Sequence, residues 1–185
     1  MRPFFTLHAG EQLVANYIER RYKRATVWIP SRDTGVDLLV ADPRRHHTVA
    51  LQVKFSRDWL VTETHKFGPE FQKQLRACGW WTINRQKLRD SQADYWVLVL
   101  LGFAARSVDY VIVPPRELWR RLRHRTPTKS KVHVYLWTTE AGRCWETRDA
   151  TRADEHRIAS GDYENRSRDF KPWLNNWTPV ARLNR

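Results

Sequence analysis

Two apolar runs, VDLLVA at residues 36–41 and TVALQVKF at residues 48–55, stand on either side of DPRRHH. Each run has strand length, and the proline and polar residues between them suit a tight connection. The pair therefore predicts an antiparallel β-hairpin. Side chains alternate along a strand, so Val36, Leu38 and Val40 share one face while Asp37 and Leu39 share the other. In the second run Leu51, Val53 and Phe55 face together, and Gln52 and Lys54 point the opposite way. If the two polar faces coincide, an acid, an amide and an ammonium converge at the end of the hairpin. A sheet core needs none of them.

Around this hairpin the pattern is mixed. HAGEQLVANYIERR, residues 8–21, repeats Glu11, Val14 and Ile18 at helical spacing, which puts Glu11 on the packed side or its rim. TVWI at 26–29 is a short strand, and residues 69–78 are read as a helix broken near Gly79. ADYWVLVLLGF, from Ala93, is a buried strand, and DYVIV at 109–113 is another. PPRELWRRLRHR opens with prolines suited to a helix start and carries Leu118 and Leu122 on one side. VHVYLW and RCWET form a final hairpin, and the polar stretch after Arg148 is left without an assigned element. The order helix, hairpin, helix, strand predicts an α/β fold with a mixed central sheet and flanking helices.

At 185 residues the chain is expected to form one domain. Residues 1–113 would be its catalytic core and 114–185 a basic helix, hairpin and extension. Lys and Arg number 33 against 20 Asp and Glu, a formal charge of +13, which favours a polyanionic partner, nucleic acid first among them. No long apolar segment argues for a membrane, and the opening MRPFFTLHAGEQ is too soon polar for a secretory leader. Cys78 and Cys144 make neither a metal-ligand spacing nor a disulfide scaffold, so reduced thiols are expected. The expected location is cytoplasmic or nucleoid-associated.

The converging groups make chemical sense around a phosphate held by a hard cation. Asp37 offers carboxylate oxygens, Gln52 a neutral amide oxygen and Val53 a backbone carbonyl, a donor set suited to Mg²⁺. Such an ion acidifies water and neutralises phosphoryl charge, while Lys54 stabilises charge in the transition state. Taken singly, each residue has a plainer use. Lys54 can snorkel to solvent, Gln52 can pair across the sheet, Asp37 can cap the SRDTG turn, and Glu11 can answer the helix dipole. Those uses do not account for all four residues in this order.

On AGEQ with Glu11, TGVDLLV with Asp37 and LQVKFS with Gln52 and Lys54, the chain resembles the PD-(D/E)XK nuclease superfamily, the restriction-endonuclease-like fold. The likeness covers residues 9–56 and extends to ADYWVLVL as a later core strand. It implies that Glu11 is the helix acid and a further metal ligand, Asp37 the central ligand, Gln52 the variable third-strand ligand and Lys54 the catalytic lysine. Val36 stands where the family often has proline. Gln52 replaces the usual acid, as in the Gln-X-Lys versions found among homing endonucleases and resolvase-like members. The implied activity is Mg²⁺-dependent hydrolysis of DNA to 5′-phosphate and 3′-hydroxyl ends, with Mn²⁺ as the alternative ion. A homing or restriction role, a Holliday-junction resolvase or repair role, and a DNA-binding protein without cleavage all remain open. Cutting two strands favours a homodimer or higher homo-oligomer.

DNA contacts are expected from basic residues outside this set. Residues 116–131 hold seven Lys or Arg against the single acid Glu117, among them Arg116, Arg120, Arg123, Lys129 and Lys131. Arg44 and Arg45 lie with His46 and His47 in the hairpin connection, and Arg32 and Arg57 flank the site. Trp80 and Trp81 can stack on a distorted or flipped base, although core packing or a subunit interface is the stronger expectation.

Overall fold

The computed structural model describes residues 9–31, 34–59, 71, 73–102, 106–123 and 129–184. The chain is α/β. Its main sheet runs β1 (Thr26–Trp28), β2 (Leu38–Ala41), β3 (Thr48–Ser56), β5 (Tyr95–Gly102) and β6 (Ser107–Val113) in that spatial order. β3 and β5 are parallel and every other neighbouring pair is antiparallel. A second sheet, antiparallel throughout, orders β4 (Leu75–Asn84), β7 (Lys131–Thr139) and β8 (Cys144–Glu146).

Alternation along β5 divides the core into two layers. Val97 and Val99 join Leu38, Val40, Leu51 and Val53 against α1 (Ala9–Arg21), which presents Val14, Ala15 and Ile18. Trp96, Leu98 and Leu100 face the opposite way, against Trp81, Ile83, Val134 and Leu136 of the small sheet. α2 (Arg85–Arg89) and α3 (Pro115–Leu122) close that side, burying Leu88, Leu118 and Leu122. Val36 departs from the expected face, because it precedes β2 and packs with the small-sheet layer.

Residues 75–78, expected in a helix, lie instead in β4, which continues through Trp80 and Trp81. Ala77, Trp81 and Ile83 point inward, while Trp80 and Thr82 point out. Gly79 hides this alternation in the sequence. A Cβ there would collide with the Trp81 ring, which fills the space that a larger residue would occupy. Pro69, where the expected helix began, lies outside the described residues.

The stretch after Arg148 is ordered by its own signals. Thr151 and Asp154 form a capping box at the start of α4 (Arg152–Ser160), and Gly161 ends it with a positive φ of 88°. Further on, Leu174 bridges to Val111, and Asn175 N–H donates to the Tyr110 carbonyl at 2.6 Å. Trp177 stacks on Tyr17 and meets Tyr110 edge-on just before α5 (Thr178–Ala181). The C-terminal segment thus covers the β6 edge and anchors α1. An exposed β6 would otherwise offer unpaired backbone groups for association.

Candidate functional site

β2 pairs with β3 in the register Leu38 opposite Leu51, so Asp37 comes opposite Gln52 at the start of β2. Gly35, at a φ of 83°, turns the chain just before it, a conformation that suits glycine. Asp37 N–H donates to the Leu51 carbonyl at 2.8 Å, and one carboxylate oxygen, Oδ2, accepts from Val53 N–H at 2.8 Å. The Gln52 amide Nε2 donates to the same oxygen. Lys54 Nζ lies 4.0 Å from it and donates to the Val53 carbonyl at 3.2 Å. Asp37, Gln52 and Lys54 therefore meet around one carboxylate. Asp37 and Gln52 are buried, at 7% and 8% exposure.

Two tryptophans that sequence reasoning did not place at the site hold Lys54. The Trp81 indole N–H donates to the Lys54 carbonyl at 3.0 Å, and the ammonium sits 5.5 Å from the centre of the Trp96 ring. The lysine is directed into a cleft of about 570 Å³ between the two sheets, bordered by Gln52, Thr82, Asn84, Lys87 and Trp96. Lys87 is a second cleft cation. Its position on a five-residue helix capped by Asn84 has no distinguishing sequence mark.

Glu11 is buried at 7% exposure in the first turn of α1. Its neighbour Gly10 lies against Phe55 and Val53, so α1 approaches β3 from the face opposite to Gln52 and Lys54. The Asp37 carboxylate, bonded to a strand N–H, lies beside the β3 backbone between these two approaches.

The donor set fits a hard divalent ion that keeps several waters. It comprises one carboxylate, one amide and the Val53 carbonyl, all of oxygen type. With its amide N–H on Asp37, Gln52 offers an oxygen to an ion beside Asp37 only after a turn about its last torsion, which is a soft one. Among the described residues no group of three or more His, Cys, Asp or Glu is placed to hold a metal.

The basic residues separate into distinct places. Arg116, Arg120 and Arg123 are all exposed on or beside α3, and Arg120 pairs with Glu117 at 2.8 Å. Lys129 shares a shallow hollow with Arg85, Arg89 and Trp119, next to the cleft, and Lys131 begins β7 exposed. Arg57 lies over the Trp59 ring at 4.1 Å. Arg44 and Arg45 occupy the hairpin turn, where Asp42 accepts from the N–H groups of His46 and His47. Backbone donors hold the Asp42 carboxyl below its ordinary range, although burial acts the other way. This turn is at the opposite end of β2 from Asp37, about five residues or ~17 Å away. Arg44 there faces a hollow with Arg24 and Arg182 instead of the cleft. Arg32 lies outside the described residues. No helix among the described residues is long and apolar enough to cross a membrane.

No protein family, curated protein or solved structure matches this chain.

Proposed function

We propose that the chain is a divalent-metal-dependent DNA endonuclease of the PD-(D/E)XK kind. The observation that carries the reading is the meeting of Asp37, Gln52 and Lys54 around one carboxylate at the mouth of a cleft. Asp37 and the Val53 carbonyl would hold Mg²⁺ or Mn²⁺, with Gln52 joining once its amide turns; Glu11, on the α1 side of β3, stands outside this set. The ion supplies Lewis acidity, making water more acidic and drawing charge from the phosphoryl oxygens. Lys54, steadied by Trp81 and Trp96, donates to a non-bridging oxygen where negative charge grows. A water oxygen would bond to phosphorus in line, giving its proton to solvent, as the bond to the 3′-oxygen breaks and that oxygen takes a proton from solvent, leaving 5′-phosphate and 3′-hydroxyl ends.

The test is cleavage of supercoiled, linear and branched DNA in Mg²⁺ or EDTA. Lys54→Ala is expected to lose roughly a hundredfold in rate, about 3 kcal/mol of barrier. Asp37→Asn is expected to lose more. Cuts that persist at full rate in both variants would remove the assignment. A restriction, homing, repair or junction-resolving role follows from which DNA form is cut, and a homodimer from paired cuts on two strands.

One observation favours a second reading. Gln52 stands opposite Asp37 where the family usually has a second acid, one anionic ligand fewer, which suits a nuclease-like fold that binds DNA without cutting it. Tight, metal-independent binding with no cut in any DNA form identifies that case.

A further inference from the structure

The outer face of the small sheet carries an aromatic surface that the cleavage chemistry does not use. Trp80 on β4 lies opposite Tyr135 on β7, their rings nearly parallel at 8° with centroids 5.8 Å apart. His133 accepts at Nδ1 from the Trp80 indole N–H at 3.3 Å, and Trp59 meets Trp80 edge-on at 5.1 Å. These rings line a hollow of about 490 Å³. Trp80 is 36% exposed, whereas its neighbour Trp81 is buried at 4%. A sheet core has no use for a tryptophan that stays over a third exposed among other rings.

The hollow adjoins the cleft. β3 runs on from Lys54 to Ser56, whose hydroxyl accepts from Trp80 N–H at 2.9 Å. Trp59 N–H then donates to the Cys78 carbonyl at 2.9 Å, which sets its ring beside Trp80. At most ~18 Å of chain separates Lys54 from Trp59. From the other side, Thr82 borders the cleft and its hydroxyl lies 3.1 Å from His133 in the hollow.

We propose that this hollow is a stacking site for an unpaired nucleobase of a single strand leading out of the cleft. Aromatic faces accept any base, because every base has a π-face. The charges around the hollow are arranged for a base with its backbone outward. Asp149 and Glu155 border it and disfavour phosphate inside, Asp149 at the same time lying 3.6 Å from the Arg148 guanidinium. Arg57, exposed over Trp59 at the rim, is placed for the phosphate instead. Arg148 also borders the hollow and donates to the His133 carbonyl at 3.3 Å, so it serves as a brace. The inference rests on the nucleic-acid part of the proposed function and is independent of cleavage.

Binding of a labelled single-stranded oligonucleotide and of a duplex of equal length is measured by fluorescence anisotropy in EDTA, so no cutting intervenes. Trp80→Ala is expected to weaken single-strand binding roughly tenfold or more. Duplex affinity should hold within about twofold, and the salt slope of single-strand binding should not change, since no phosphate contact is lost. Trp80→Phe should retain most of the affinity, and Trp28→Ala, an exposed tryptophan on β1, should have no effect. Replacing the bases by abasic sites should erase the difference between the unmodified chain and Trp80→Ala. Equal losses on single strand and duplex, or a Trp80→Ala chain that binds single strand as well as the unmodified one, would overturn the proposal. So would an unmodified chain that binds no single strand, even if duplex cleavage by Asp37 and Lys54 were intact.

Discussion

The carboxylate of Asp37 already has two N–H donors and a nearby ammonium, so its charge is balanced before any ion arrives. Gln52→Glu tests that balance. It replaces a donor with a second carboxylate, and two such groups cannot both ionise cheaply side by side. In EDTA at neutral pH the variant should lose about 2 kcal/mol, a drop of roughly 5 °C in melting temperature. Titration with Mg²⁺ should recover it by mass action, with a larger rise than in the unmodified chain. A melting temperature in both chains that ignores Mg²⁺ would remove the metal assignment. Tyr110 has a different sensitivity. Burial, then Tyr17 and Asp109, push its phenol up to about 12. A phenol raised on folding costs nothing below the unfolded value of about 10, and stability falls as pH rises from there towards 12. Denaturation in urea across that window should show the loss in the unmodified chain and a smaller one in Tyr110→Phe.

Neighbouring arginines on α3 have opposite uses. Arg120 is exposed and pairs with Glu117 in the preceding turn, a contact worth well under 1 kcal/mol. Arg121 is half-buried, donates to the carbonyls of Arg166 and Ser167, and lies over the rings of Phe170 and Trp173. Arg121→Ala should cost about 2 kcal/mol in urea unfolding, from lost charged hydrogen bonds and packing. Arg120→Ala should leave stability within about 0.5 kcal/mol. If both cost the same, the C-terminal segment is not docked on α3 in this way. The helix was legible because Leu118 and Leu122 repeat at the right spacing, but nothing in RELWRRL separates a docked arginine from a solvent-facing one. The α1 spacing and the apolar runs of β2, β3 and β5 were legible for the same reason. β4 was not, since Gly79 interrupts its alternation and its meaning depends on a ring two residues later. α4 has its signals in the sequence, Thr151 three residues before Asp154 and Gly161 at the end, but no apolar periodicity strong enough to mark a helix between them.

Over the whole molecule the formal charge of +13 is shared by surfaces at different distances from the cleft. Exposed Arg116, Arg120 and Arg123 lie on or beside α3, whereas Arg44 shares a hollow with Arg24 and Arg182 at the far end of the main hairpin. If this side of α3 tracks a DNA backbone, changing Arg116, Arg120 and Arg123 to alanine should reduce the slope of log affinity against log salt by about 3. Filter-binding titrations over a salt series measure it. An unchanged slope would move the DNA path to the other surfaces.

Short-range pattern was enough to align Asp37, Gln52 and Lys54, because strand alternation and one tight turn set their mutual placement through residues close in sequence. Tertiary structure alone decided what surrounds them. The small sheet that makes a cleft out of an open strand face joins β4 to β7; Trp80 meets Tyr135 through that pairing, and Trp59 reaches Trp80 from the end of β3. Periodicity reports which face of an element is apolar. It carries no information about which distant element will cover that face, since pairing is chosen by the fit of whole surfaces once the chain has collapsed.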